Sequence, residues 1–241
     1  MMRLLQNWGR KNALGVKYVS AGYIRTLVAD CEGSYDKKVC LDIGNPSTDE
    51  HYTTLDIVPG GDIQGDVRCA FAPGHQEKDC PGVQHLAKGW YMLVRMKHTI
   101  EHIEWIYQDF LIRWVHSLLA EGGMFYIHTP SLEYNAKVYL ENRKLQDRGK
   151  QVKYPVHEHI YCSKDVPTDL QLWVNFKFFS GCSPGDYHHA MFDAPLMNYM
   201  LGKYFHKVNI AASDMISAVA FKAKGPIVTV DDAVERAMVD V

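Results

Sequence analysis

The chain has 241 residues, 47% hydrophobic and 22% charged, which supplies one sizeable core and excludes a largely disordered protein. A formal net charge of -2 argues against a chain built as a whole around gripping nucleic-acid phosphates, which carries a basic excess. No run approaches the roughly 18 apolar residues of a membrane helix. The opening MMRLLQNWGRKNALG holds too short an apolar island for a signal-peptide core.

Helical spacing of Tyr23, Ile24, Leu27, Val28 and Cys31 predicts a helix over 19–31 that packs on a sheet edge and stops at Gly33 and Ser34. A buried strand is expected at 39–43, a second at 52–57 closed by Pro59, Gly60 and Gly61, and a short polar-ended third at 62–67. Residues 71–89 read as a loop. Residues 90–96 form an apolar strand interrupted only by Arg95. An apolar stripe from Ile103 to Leu119 then predicts a long helix ending at Gly122, and 124–129 a strand stopped by Pro130.

Farther along, 132–145 reads as a helix and 146–164 as a charged, His-rich surface insertion. The aromatic run 170–179 reads as core or dimer interface, and 181–193 as a turn-rich loop. A helix over 196–205, strands at 208–212 and 218–222, and a short helix at 232–239 capped by Asp232 and Glu235 complete the chain. Strands alternating with helices point to an α/β sheet with parallel core strands. Six cysteines (Cys31, Cys40, Cys69, Cys80, Cys162, Cys182) show no CxxC pair and read as reduced thiols of a soluble cytoplasmic protein.

The chemistry-bearing pattern is a strand, a glycine turn, a second strand and an acid. LDIGNPS (41–47) is followed by TLD (54–56), then DIQGD (62–66), TIEHI (99–103), LAEGG (119–123), TPSL (129–132) and HAMFD (189–193). In that order and spacing the chain resembles predicted class I S-adenosylmethionine (SAM)-dependent methyltransferases from about residue 38 to 210. The resemblance implies a Rossmann-like, seven-stranded, mostly parallel sheet with helices on both faces. It implies one domain: a helical cap over 1–37, a SAM-binding core over 38–135, an insertion or lid over 136–190, and a closing helix and strands over 191–241.

By the same resemblance, Asp42, Gly44, Asn45 and Pro46 surround the amino-acid end of SAM. Asp56 holds the ribose hydroxyls beside Ile57, Asp66 and Val67 sit at the adenine, and His98 lines the methyl position. Pro46 stands where the family has a second glycine and lacks the N–H that position would offer. Glu101 and His102 lie on the acceptor side. They either brace the loop that opens the following helix or face the acceptor.

His98, His188 and His189 are the candidate bases, since an imidazole titrates near neutral pH. His157, Glu158, His159 and Cys162, with His188 and His189, are zinc-ligand types, but their spacing matches no standard site, so no metal is expected. Methyl transfer from a sulfonium needs alignment more than a fixed triad. The acceptor is therefore not legible beyond a small-molecule preference, such as a sugar hydroxyl or a carboxylate. A non-catalytic SAM-binding or vestigial domain remains the alternative. An NAD or nucleotide-sugar enzyme is disfavoured because no G-x-G-x-x-G follows the first core strand. Oligomeric state is not encoded in any visible pattern.

Overall fold

A computed structural model describes residues 17–72, 82–150 and 187–222. The predicted helix at 232–239 and the aromatic run at 170–179 lie outside them. Eight strands form one sheet: β1 Lys17–Tyr18, β2 Cys40–Ile43, β3 Thr53–Asp56, β4 Ile63–Gln64, β5 Tyr91–Lys97, β6 Leu119–Pro130, β7 Lys207–Ala212 and β8 Met215–Phe221. Their order across the sheet is β1-β7-β8-β6-β5-β2-β3-β4. From β4 to β6 every pairing is parallel, β8 runs antiparallel to both neighbours, and β1 is parallel to β7.

This is a Rossmann-like α/β fold. The sequence suggested seven strands; the eighth is the two-residue β1, too short to show alternation.

Register sorts the side chains by face, because successive residues of a strand point to opposite sides. Leu41, Val94 and Phe125 align across β2, β5 and β6, as do Ile43, Met96 and Ile127. These rows bury against the helix α2 (Gln108–Leu118) through Leu111, Ile112, Val115 and Leu118, and against α4 (Ala194–Gly202) through Met197, Met200 and Leu201. The alternate row Cys40, Leu93 and Met124 faces α1 (Ala21–Ser34).

Ile24 and Val28 of α1 pack with residues drawn from β2, β5, β6, β7 and β8. The helix therefore lies across a sheet face rather than along its edge, as the sequence had suggested. Two apolar residues one turn apart form the minimal stripe for that packing. Ser20 caps the helix by accepting a hydrogen bond from the Tyr23 N–H.

The predicted helix from Ile103 to Gly122 is shorter. Ile100–His102 and Trp105–Tyr107 are single-turn 3₁₀ segments, α2 spans only Gln108–Leu118, and Leu119 already pairs with Tyr91. Inside β6, Gly122 (φ 76°) sits where the register shifts between the Tyr91–Leu119 and Leu93–Met124 pairs, so the strand carries the extra residues as an irregularity. α3 (Leu132–Gln146) follows as expected, capped by Ser131.

Cys31 and Cys40 are free thiols, but Cys69 is disulfide-bonded, which corrects the all-reduced expectation. Its partner lies outside the described residues. Spacing along a chain cannot show which thiols folding brings together. No helix among the described residues is long and apolar enough to cross a membrane.

Candidate active site

In open α/β sheets, ligands bind beyond the carboxyl ends of the strands, where the strand order reverses. Here the chain runs outward from β2 through β3 to β4, then returns to β5 on the other side of β2. The reversal lies between β2 and β5. The sequence candidates gather along this edge: Asp42, Gly44, Asn45 and Pro46 at β2, Asp56 and Ile57 at β3, Asp66 and Val67 after β4, and His98, Glu101 and His102 after β5.

Gly44 has φ 88°, and a Cβ there would stand 2.1 Å from Thr99 Oγ1. Only glycine fits both the backbone conformation and the space. Asn45 secures the turn by donating to Asp42 Oδ2 at 3.0 Å while its own Oδ1 accepts from the Ser47 N–H and hydroxyl. Pro46 packs under the neighbouring loop, where a Cβ on Gly60 would stand 2.3 Å from its carbonyl oxygen.

Asp42 does not stand free at the turn. It is buried and paired with Arg95, its neighbour in register, at 2.5 Å. Arg95 also pairs with Glu32 and Asp49, both at 3.0 Å, and its guanidinium lies 3.6 Å from the Tyr52 ring centroid. Burial works against the guanidinium charge, and Asp42, Tyr52 and Asp49 together more than offset it, so the Arg95 pKa is raised. Nothing in the sequence pointed to Glu32, Asp49 and Tyr52 as its partners. The one visible signal was a lone charge inside an apolar strand, which demands pairing.

Asp56 closes β3 one strand over from Gly44, and its Oδ1 accepts from the Val58 N–H at 2.7 Å. Partial burial raises its pKa, the Val58 and Ile57 N–H groups offset part of that, and the charge of Asp42 adds to it. Ile57 and Val58, immediately after it, are exposed at 57% and 52%, an uncovered apolar step beside an acid. Asp66 caps the turn Val67–Ala70 and is held by the Arg68 guanidinium, which also reaches Glu104. Val67 is buried beside it.

His98 carries φ 51°, the sole positive value for a non-glycine among the described residues. Such backbone costs about 1–3 kcal/mol and gathers at functional sites. Its ring is exposed, and Nδ1 lies 3.5 Å from Glu101 Oε1. Glu101 itself is fully buried, and its Oε2 accepts from Thr129 Oγ1 at 2.9 Å. Burial would push its carboxyl up, but the His98 imidazole, its own N–H and His102 bring the pKa below the ordinary value.

The loop before α4 docks here by its backbone. The N–H groups of His189 and Ala190 donate to the Glu101 carbonyl at 2.7 and 3.2 Å. His102 Nδ1 lies 3.1 Å from the Tyr187 carbonyl oxygen, and the His102 and His188 rings are 5.0 Å apart. Glu101, His102 and His188 each present a ligand atom within 4.8 Å of the others. Residues 157–162, the other histidine-rich candidates, are outside the described residues.

No family model matches the chain, and no curated protein matches it. Solved structures do resemble it. The carbon methyltransferase CurJ is 12% identical over 93% of this chain and 59% of its own, with a TM-score of 0.47. Magnesium protoporphyrin IX methyltransferase from Synechocystis PCC 6803, solved with bound S-adenosylhomocysteine, is 11% identical over 84% of this chain and 81% of its own, with a TM-score of 0.39. A putative Zn-dependent alcohol dehydrogenase from Rhodobacter sphaeroides is 12% identical over 90% and 94%, with a TM-score of 0.46. The chain spans about three fifths of the length of CurJ.

Proposed function

We propose that the protein is a SAM-dependent methyltransferase acting on a small-molecule acceptor. The observation that carries this reading is the pairing of the Gly44 turn at the end of β2 with Asp56 at the end of the adjacent β3, beside the strand-order reversal. A carboxylate in that place can accept two ribose hydroxyls. The exposed Ile57 and Val58 supply an apolar surface for a flat base, and Val67 adds a buried wall. Asp42, tied to Arg95, shapes the turn through Asn45 rather than meeting the cofactor itself.

The transfer is an in-line displacement in which proximity and alignment contribute most of the rate. His98, His188 and His189 are the candidate bases for a hydroxyl acceptor, with Glu101 and His102 on the acceptor side. The proposal divides the domain into a cap over 1–37, a core over 38–135, a lid over 136–190 and closing elements over 191–241. Binding of the acceptor beneath 136–190 is part of the proposal. The cytoplasmic expectation rested partly on reduced thiols, and the Cys69 disulfide removes that support.

Calorimetry with S-adenosylhomocysteine, SAM and NAD tests the reading. Tight binding of the first two and not of NAD is expected. Asp56→Ala should weaken S-adenosylhomocysteine by about 2–3 kcal/mol, the range for hydrogen bonds to a charged group. Asp56→Asn keeps an acceptor for the Val58 N–H and serves as the folded control. Affinity unchanged within about twofold in a folded Asp56→Ala protein defeats the cofactor assignment.

A further inference from the structure

We propose that Glu101, His102 and His188 bind one divalent transition-metal ion, whose open positions seat the acceptor oxygen. The second half of this statement rests on the methyl-transfer reading; the ion site does not.

Four observations converge. The three side chains come from two segments 86 residues apart, yet their ligand atoms lie within 4.8 Å of one another. Metal–nitrogen and metal–oxygen bonds near 2.1 Å allow ligand atoms up to ~4.2 Å apart, so closing the site takes rotamer adjustments rather than backbone movement. Glu101 is completely buried, and while Oε2 is hydrogen-bonded to Thr129, Oε1 receives no hydrogen bond; His98 Nδ1 lies 3.5 Å from it. A buried carboxylate oxygen left in that state carries an uncompensated desolvation cost, which a cation would recover.

His102 places Nδ1 against the Tyr187 carbonyl oxygen, the outer contact that puts the proton on Nδ1 and leaves Nε2 as a lone-pair donor. The His189 and Ala190 N–H groups then bind the Glu101 backbone carbonyl. The loop carrying His188 is thereby fixed to the turn carrying the other two ligands by contacts that use none of the ligand atoms.

Two imidazoles and a carboxylate select an ion such as Zn²⁺, Co²⁺, Fe²⁺ or Mn²⁺ over Mg²⁺ and Ca²⁺, which prefer all-oxygen sites. Three protein ligands leave positions open for substrate. An acceptor hydroxyl bound there becomes more acidic. Its oxygen lone pair forms the bond to the methyl carbon, and the carbon–sulfur bond breaks with its electron pair remaining on sulfur. A neutral thioether results, and the hydroxyl proton passes to His98 or to solvent. His188 becomes a ligand in this scheme, not a base.

The test uses the full chain, tag removed and treated with chelator, titrated with Co²⁺ while the visible d–d absorption is followed. A saturable 1:1 signal displaced by Zn²⁺ and untouched by Mg²⁺ is expected. Glu101→Gln and His188→Ala should each weaken Co²⁺ by about 100-fold or more. His206→Ala, on an exposed residue immediately before β7, should leave it unchanged. S-adenosylhomocysteine binding measured on each variant reports folding and tests the transfer reading separately. The absence of 1:1 Co²⁺ binding in the parent chain, or binding unaltered in a folded His188→Ala protein, overturns the site. Co²⁺ binding without S-adenosylhomocysteine binding keeps the ion site and removes its assignment to methyl transfer.

Discussion

Thr99 occupies the space a side chain on Gly44 would need. Its Oγ1 lies 3.0 Å from the carbonyl oxygens of both Ile43 and Lys97, joining the ends of β2 and β5 at the point where the strand order reverses. The glycine turn is thus braced from the neighbouring strand.

Gly44→Ala combines a left-handed backbone, at φ 88°, with a Cβ 2.1 Å from that hydroxyl. A loss of about 2–4 kcal/mol is expected, from strain and overpacking together. Thr99→Gly should recover part of this in the double variant by removing the clash and not the strain. Urea denaturation of the four proteins in the cycle measures the coupling; strictly additive effects would show that the contact is not what limits position 44.

Arg95 pairs with three carboxylates, Asp42, Glu32 and Asp49, from a buried position. Arg95→Met leaves Asp42 buried without its partner, and breaking such a pair from one side costs about 3–5 kcal/mol. Asp42→Asn should cost less, because Arg95 keeps two partners. The order of the two midpoints in chemical denaturation decides this.

His116 and His128 are both half-buried, and burial holds both pKa values below 6.5, with Lys222 adding to the first and His98 and Lys97 to the second. His116 lies edge-on to Phe205 at 5.2 Å, with Tyr204 nearby. A histidine with a depressed folded pKa takes up its proton more readily in the unfolded chain. Stability is therefore full above about pH 6.5 and falls as pH drops through that value toward the folded pKa. His116→Gln should flatten part of this fall, seen as a smaller change in melting temperature between pH 7 and pH 5. An unchanged slope would mean that His116 is solvated.

Cys69 should resist alkylation under denaturing, non-reducing conditions, whereas Cys31 and Cys40 should react. Burial pushes the thiol of Cys31 up to about 11 and that of Cys40 up to about 12, so neither should be modified quickly in the native protein. Peptide mass mapping with and without reductant reads both outcomes. Labelling of Cys69 before reduction would restore the all-thiol picture.

The strands and their boundaries were legible where local chemistry suffices. Apolar runs closed by Gly44, Pro59 or Pro130 marked β2, β3 and the carboxyl end of β6, because backbone conformation and burial pattern are local properties. Asp56 was legible as a strand-end acid for the same reason. The sheet order was not, nor was the face that α1 covers, nor the end of α2, where Leu119 continues the apolar stripe yet is drawn into β6 by pairing with Tyr91. Those outcomes depend on hydrogen bonds and burial between distant segments, which no window of sequence contains.

The candidate site divides in the same way. The sequence by itself determined that a glycine turn, an acid and a Glu-His pair follow successive strands, since each is a short motif at a strand end. Only the tertiary structure decided that Asp42 is consumed by Arg95, that His98 sits in a strained backbone, and that His188 meets Glu101 and His102. Histidines 86 residues apart become neighbours because two backbone N–H groups of one loop bind the Glu101 carbonyl of another, a bond that any residue types could make and that leaves no trace in the sequence.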